Sequence, residues 1–298
     1  MKKIGDVVKM PQNLAQTKKE SIDELCQDAR IKAFMQKEGL TRPMMDDYWI
    51  ELINYQEDYI QCLNCPGLDR CPKNTKGYQM LLHFNGDHLA LDMTPCDKQE
   101  DYMAKLEALR LIEPCNMPKS LFDLKLEDVD LQGRKDVLLA CRKIISSLSS
   151  KGLFLYGPMQ NGKTTIMASL IYKFASKGIP CAFINVPTLI VELKEQFSQD
   201  NKSNILNELK SVDILVLDDI GGENVTAWSR DEVLNSILSE RALRKLPTFF
   251  TSVYSFDELK QYYVLTKQKG DTIKVERLVE KMKAVSVPIE LKSDKYNS

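Results

Sequence analysis

Residues 157–164 read GPMQNGKT and match the phosphate-binding spacing G-x-x-x-x-G-K-[ST]. A nucleotide polyphosphate needs backbone N–H groups turned inward, and glycines let the chain curl close enough to supply them. A helix that starts there adds the positive end of its dipole. Lys163 would reach the β- and γ-phosphates, and the Thr164 hydroxyl would sit on Mg2+. The expected ATP cradle is therefore Gly157, Pro158, Met159, Gln160, Asn161, Gly162, Lys163, Thr164 and Thr165. Downstream, the apolar run Ile214-Leu215-Val216-Leu217 ends in Asp218-Asp219. Carboxylates at the C-terminal tip of a buried parallel strand face the phosphate crevice. Asp218 is expected to share Mg2+ with Thr164, and Asp219 to orient or deprotonate the attacking water.

A second chemistry is written in cysteines. Cys62-x-x-Cys65 is followed by Cys71 and Cys96, and tetrahedral zinc needs four such ligands. Pro66, Gly67 and Pro72 supply tight turns, and His83 or His88 could replace Cys71. A redox Cys-x-x-Cys would open a helix after a strand, whereas proline follows Cys65 here. The zinc is expected to be structural, with no open ligand position. Cys26, Cys115, Cys141 and Cys181 are scattered and read as small core residues.

The octet can do its chemistry only between a strand and a helix. Gly152 and Leu153-Phe154-Leu155-Tyr156 suit a buried strand; Ile166, Met167, Leu170, Ile171 and Phe174 fall at helical spacing, and Gly178 stops that helix. Strands near 153, 181, 213, 248 and 285 alternate with helical segments. That alternation predicts an α/β domain over 126–298, a parallel five-stranded sheet with helices on both faces. Upstream, apolar spacing predicts helices from Ser21 to about Gln61, two strands around Asn85-Gly86-Asp87, and a further helix at 99–112. The prolines of Glu113-Pro114-Cys115-Asn116-Met117-Pro118 break regular structure. The organisation is thus a small, mostly helical zinc-binding domain at 1–112, a linker at 113–125 and the nucleotide domain.

Hydrophobic content of 43% and charged content of 28% are those of a soluble globular protein. No apolar run is long enough to span a membrane, and MKKIGDVVKMPQN lacks a signal-peptide core, so a cytoplasmic protein without a membrane partner is expected. A net charge of −1 carries no global nucleic-acid signature. Residues 1–115 hold 15 basic against 19 acidic residues and the remainder 26 against 23, which favours the C-terminal half for DNA contact.

The cysteine module, Pro118-Lys119-Ser120, GPMQNGKT, ILVLDDIGGENVTAWSRDEVL (214–234) and LPTFFTS (246–252) together resemble bacterial replicative-helicase loaders of the primosomal protein DnaI type, over nearly the whole chain. The resemblance implies an AAA+ ATPase domain and an N-terminal domain that contacts the hexameric replicative helicase. It further implies single-stranded DNA binding, other primosome proteins as partners and possible ATP-dependent self-association. Two departures concern hydrolysis. Where relatives carry a water-polarising Asn after Thr-Ser, this chain has Val253, so Thr251 or Ser252 would have to substitute. On the helix that matches the arginine-finger helix, Arg277 holds the first basic position and Lys281 the second, and lysine lacks the planar fork that grips a γ-phosphate. No arginine follows Arg277. Weak intrinsic hydrolysis is expected, with ATP acting chiefly as an assembly switch. Arg230, Arg241 and Arg244 are alternative sources of trans charge, or else decorate a solvated helix. Lys194, Lys202 and Lys210, near Phe197, are candidates for single-stranded DNA. A transposition-helper ATPase and a non-hydrolysing ATP-binding adaptor are the competing functions.

Overall fold

Successive strand residues point to opposite faces of a sheet, and the apolar strands downstream of residue 104 use both faces. In the computed structural model, residues 12–122, 124–129, 135–147, 150–198, 204–266 and 268–292 are described. The stretch 1–11, read above for a signal peptide, and Lys202 lie outside them. The chain forms two compact units, 1–103 and 104–298.

The second unit is a wholly parallel sheet in the order β3-β5-β6-β7-β4-β8. Its strands are β3 (Ile112–Cys115), β4 (Gly152–Tyr156), β5 (Cys181–Asn185), β6 (Ile214–Asp218), β7 (Thr248–Ser252) and β8 (Ser286–Glu290). The sheet therefore has six strands and not five. The additional one, β3, lies in the segment read as a linker. Its Pro114 can sit in a sheet because β3 is an edge strand, paired only with β5 and in shifted register.

Helices α5 (Lys135–Ser146) and α6 (Lys163–Ala175) pack on one face, against Leu153, Leu155, Cys181, Phe183, Ile214, Val216 and Phe249. On the other face, Phe154, Ala182, Ile184, Leu215, Leu217 and Phe250 meet α7 (Val186–Ser198), α8 (Ile205–Ser211), α9 (Asn235–Arg244), α10 (Phe256–Tyr263) and α11 (Lys269–Val285). A π-helical turn, Trp228–Leu234, precedes α9. Cys141 and Cys181 are fully buried, and burial pushes their thiols up to about 11 and about 12.

The first unit holds α1 (Gln12–Gln27), α2 (Ala29–Glu38), a 3-10 turn at Arg42–Tyr48, α3 (Trp49–Cys62) and the hairpin β1 (Tyr78–Phe84) and β2 (Leu89–Pro95), and α4 (Asp97–Arg110) begins in it. Asp28 caps α2 through its carboxylate and Gly39 ends it in the left-handed region. Ile22, Ile31, Met45, Leu52 and Leu89 form its core. Among the described residues, no helix is long and apolar enough to cross a membrane.

Candidate active site

The tips of β4, β5, β6 and β7 carry the polar residues of the site. After β4 the loop turns back at Gly157, whose φ is 138° and whose N–H donates to Ser252 O at 3.2 Å. A Cβ there would lie 2.3 Å from Leu291 O, so no other residue fits. The Asn161 side chain donates to the carbonyls of Leu291 and Lys292, at 2.7 and 3.1 Å. The segment after β8 thereby braces the loop from behind. Gly162, left-handed at φ 74°, then opens α6.

Lys163 is buried, and its ammonium donates to Gly157 O at 2.8 Å and Pro158 O at 2.6 Å. Burial pulls its pKa down, and the charges of Asp219 and Asp218 oppose that. The Thr164 hydroxyl donates to Asp218 Oδ1 at 2.8 Å. A hydroxyl and a carboxylate in contact are hard oxygen donors of the kind Mg2+ takes alongside phosphate oxygens, so the pair fits that ion. Pro158, Met159 and Gln160 form the exposed lip of the loop; Thr165 is half-buried on the first turn of α6.

Asp219 takes φ 57°, a left-handed conformation unusual outside glycine. Its carboxyl pKa is raised, first by burial and then by Asp218, with Lys163 acting the other way. A carboxylate with a raised pKa suits a proton acceptor. The geometry also separates Thr251 from Ser252, the two residues considered in place of the absent asparagine. The pairing of Leu217 with Phe250 sets Thr251 beside Asp218. The Thr251 hydroxyl donates to Asp218 Oδ1 at 2.7 Å and accepts the Asp219 N–H at 2.8 Å. Ser252 is used elsewhere, donating to Ile220 O at 2.7 Å.

One residue escaped the sequence reading. Asn185, at the tip of β5 opposite Asp218, places Nδ2 3.4 Å from Asp218 Oδ2 while its Oδ1 caps α7 through Thr188. An asparagine between an apolar strand and a helix was the available signal.

The basic residues sort differently from expectation. Arg277 is exposed on α11, and Lys281 is tied down by Asn235 Oδ1 at 2.6 Å and Ser239 Oγ at 2.7 Å. Burial, then the charge of Arg277, lowers the Lys281 pKa. Arg230 and Arg241 are 1% and 0% exposed, so neither decorates a solvated helix nor reaches a neighbour. Arg241 donates to Thr248 Oγ1 and to the carbonyls of Leu209, Val212, Asp213 and Pro247. Arg244 is exposed and pairs with Glu240 at 2.6 Å. Lys194 is exposed and Lys210 half-buried.

Among the described residues, no three Cys, His, Asp or Glu side chains converge to hold one metal ion. The thiols meet lysines instead: Lys98 Nζ lies 3.4 Å from Cys65 Sγ, and Cys62 faces Lys73, itself bound to Asp58 at 2.7 Å. Cys71 is half-buried, its N–H on Leu68 O at 3.2 Å; Cys96 opens α4, its N–H on Gly77 O at 2.8 Å. His83 pairs with Asp92 and His88 packs edge-on against Tyr48.

Comparison with known proteins fits this geometry. Residues 104–296 match the model of the IstB-like ATP binding protein family, and residues 1–92 that of the primosomal protein DnaI N-terminus. The replicative helicase loader DnaI of Bacillus subtilis (strain 168) is 27% identical over 278 residues, covering 90% of this chain and 89% of that one. The replicative helicase loader DnaC of Escherichia coli (strain K12) is 24% identical over 135 residues, 44% of this chain and 55% of that one. The crystal structure of a DnaI superposes with a TM-score of 0.55 at 29% identity, over 64% of this chain and all of that one. The chain belongs to the IstB-like ATP binding protein family, and the segment ahead of that domain matches the primosomal protein DnaI N-terminus.

Proposed function

We propose that this protein loads the replicative DNA helicase onto single-stranded DNA when primosomes assemble, using ATP as the switch. The observation that carries the reading is the joining, on one chain, of a DnaI-type amino terminus to an intact phosphate loop facing Thr164, Asp218 and Thr251. Bound ATP would take the Lys163 ammonium from the loop carbonyls onto its phosphates, with Mg2+ held by Thr164 and Asp218. Asp219 receives the proton of the attacking water, and Asn185 and Thr251 hold the Asp218 carboxylate in place. Turnover is slow in the isolated protein. Lys281 is committed to α9 within its own subunit, so of the two basic positions matched to the arginine-finger helix, the exposed Arg277 is the one left for a second copy. Helicase contact belongs to the first unit. Contact with single-stranded DNA belongs to the second, where Lys194 is the exposed candidate.

The test is to mix the protein with the replicative helicase of its own cell, with and without ATP, and to measure complex mass and helicase deposition on single-stranded DNA. Lys163→Ala is expected to keep the complex and lose deposition. Absence of a complex in either condition removes the proposal. A transposition helper is not favoured, because the chain carries the DnaI amino terminus.

Zinc binding by Cys62, Cys65, Cys71 and Cys96 stands as a separate proposal and enters no step above. Zinc would have to displace Lys73 from Cys62 and Lys98 from Cys65. One zinc per chain with all four thiols shielded from alkylation supports it; ready alkylation of all four in the native protein sinks it.

A further inference from the structure

Glu223 lies outside the phosphate loop, yet it is 2% exposed and both its carboxylate oxygens are engaged. Its Oε2 accepts the Gly221 N–H at 2.8 Å, and its Oε1 accepts the Tyr263 hydroxyl at 2.5 Å. The clasp closes the loop that follows β6. Within that loop Gly222 donates to Asp219 O at 3.0 Å, and Asp219 Oδ2 lies 2.3 Å from the site of a Gly222 Cβ. The left-handed Asp219 is thus packed onto a segment that Glu223 holds shut. A strained backbone persists only where its surroundings over-determine it.

The clasp continues past Tyr263. That residue is fully buried at the end of α10, and its carbonyl accepts Arg230 Nη1 at 2.9 Å. Arg230 is chelated by Asp231, at 2.6 and 3.0 Å, and reaches Asp271 Oδ1 at 2.8 Å. Asp271 lies in the first turn of α11 and also accepts the N–H groups of Leu265 and Thr266. Lys274, one turn on, pairs with Asp231 at 2.9 Å. A line of charge-assisted bonds, joined through the covalent frame of Tyr263 between its hydroxyl and its carbonyl, therefore runs from the loop beside Asp219 to the helix that presents Arg277. Such bonds are stronger than neutral ones and fix geometry.

We propose that Glu223, Tyr263, Arg230 and Asp271 are positioning residues that couple Asp219 in one nucleotide site to the arginine this chain offers from α11. The inference rests on the nucleotide reading above and deepens it. Binding of nucleotide at the loop is registered as a change in α11, and the relay is the element through which both ends are biased.

Hydrogen exchange with and without Mg-ATPγS tests this in the full-length protein. In the wild type, nucleotide is expected to slow exchange in both 219–223 and 269–285, by about fivefold or more, the lower end of site-to-site coupling. Tyr263→Phe keeps the ring and removes the hydroxyl. It is expected to retain the slowing at 219–223, lose it at 269–285, and cut kcat about tenfold with nucleotide affinity unchanged. Asp271→Asn, at the far end of the relay, leaves the Tyr263 ring in place and is expected to lose the slowing in α11 in the same way. Two results overturn the proposal: a wild type that responds at 219–223 but not in α11, or variants that lose thermal stability yet transmit like the wild type. A wild type with no response at 219–223 instead refutes the nucleotide reading itself.

Discussion

Thr251→Val deletes one hydroxyl and keeps the shape of the side chain, and the structure gives that hydroxyl two duties. It donates to Asp218 Oδ1 at 2.7 Å and accepts the Asp219 N–H at 2.8 Å. The first is a bond to a carboxylate, worth about 1.5–3 kcal/mol, and the second leaves a half-buried N–H unmet, at about 1–3 kcal/mol. The hydroxyl's own desolvation is recovered, so the net loss of stability is about 2–3 kcal/mol. Hydrolysis suffers through two routes. Asp218 loses one of the two hydroxyls that fix its Oδ1, the other being that of Thr164, and Asp219 loses the contact its backbone N–H makes. A fall in kcat of about a hundredfold corresponds to about 2.7 kcal/mol of lost transition-state stabilisation, close to the sum of those weakened contacts. Nucleotide affinity, set by the loop and Lys163, is expected to stay within about threefold. The assay is steady-state ATP turnover with Mg2+, helicase and single-stranded DNA, with a fluorescent nucleotide titration and a urea melt alongside. Thr251→Ser retains the hydroxyl and is expected to recover most of the rate. Val253→Asn supplies the family's asparagine one position beyond the tip of β7 and is expected to gain nothing, because Thr251 already occupies the place beside Asp218. Wild-type turnover in Thr251→Val, or recovery of the rate when Val253→Asn is added to it, refutes the argument.

Arg241→Met removes five donated bonds from the protein interior and strands four carbonyls, so a loss of about 3–5 kcal/mol is expected in a urea melt, against less than 1 kcal/mol if the arginine were merely surface. Arg277→Ala is expected to leave stability within about 0.5 kcal/mol while lowering turnover in the assembled complex, whereas Lys281→Ala costs about 1–2 kcal/mol by freeing Asn235 and Ser239; sedimentation and melts on both separate the roles. The Asp271 carboxyl is held down to about 2, first by the Arg230 guanidinium and then by the Thr266 N–H. Its stabilising share is therefore present above the unfolded carboxyl value of about 3.9 and is lost as pH falls through about 2. An acid titration of Asp271→Asn is expected to be flatter than wild type across that window, and equal slopes would show that the ion pair contributes nothing.

Much of the site was legible because its parts are short and local. GPMQNGKT lies between β4 and α6, and Asp218-Asp219 closes β6, where periodicity and strand-end chemistry set them. What escaped depends on registers that no local pattern encodes. β3 was hidden because prolines argue against strands, and only an edge position tolerates one. Thr251 could be named as a substitute but not chosen over Ser252, since the choice follows from which residue of β7 lies beside Asp218. Arg230 and Arg241 read as trans charge or as solvated charge on a helix, because sequence cannot say that a π-helical turn and four carbonyls await them in the interior.

The brace behind the phosphate loop bears on how the protein is made. β8 pairs with β4 alone, and the carbonyls that back Gly157 and Asn161 come from Leu291 and Lys292. A ribosome that has released everything up to α11 has therefore exposed an octet complete in sequence and lacking its rear wall. Competence to hold nucleotide arrives only with translation through Lys292, well after the core of the first unit, built from Ile22 to Leu89, has emerged. On the proposed function, a nascent chain would thus present its amino-terminal surface before it could respond to ATP, so that during synthesis binding to a partner would precede control over it.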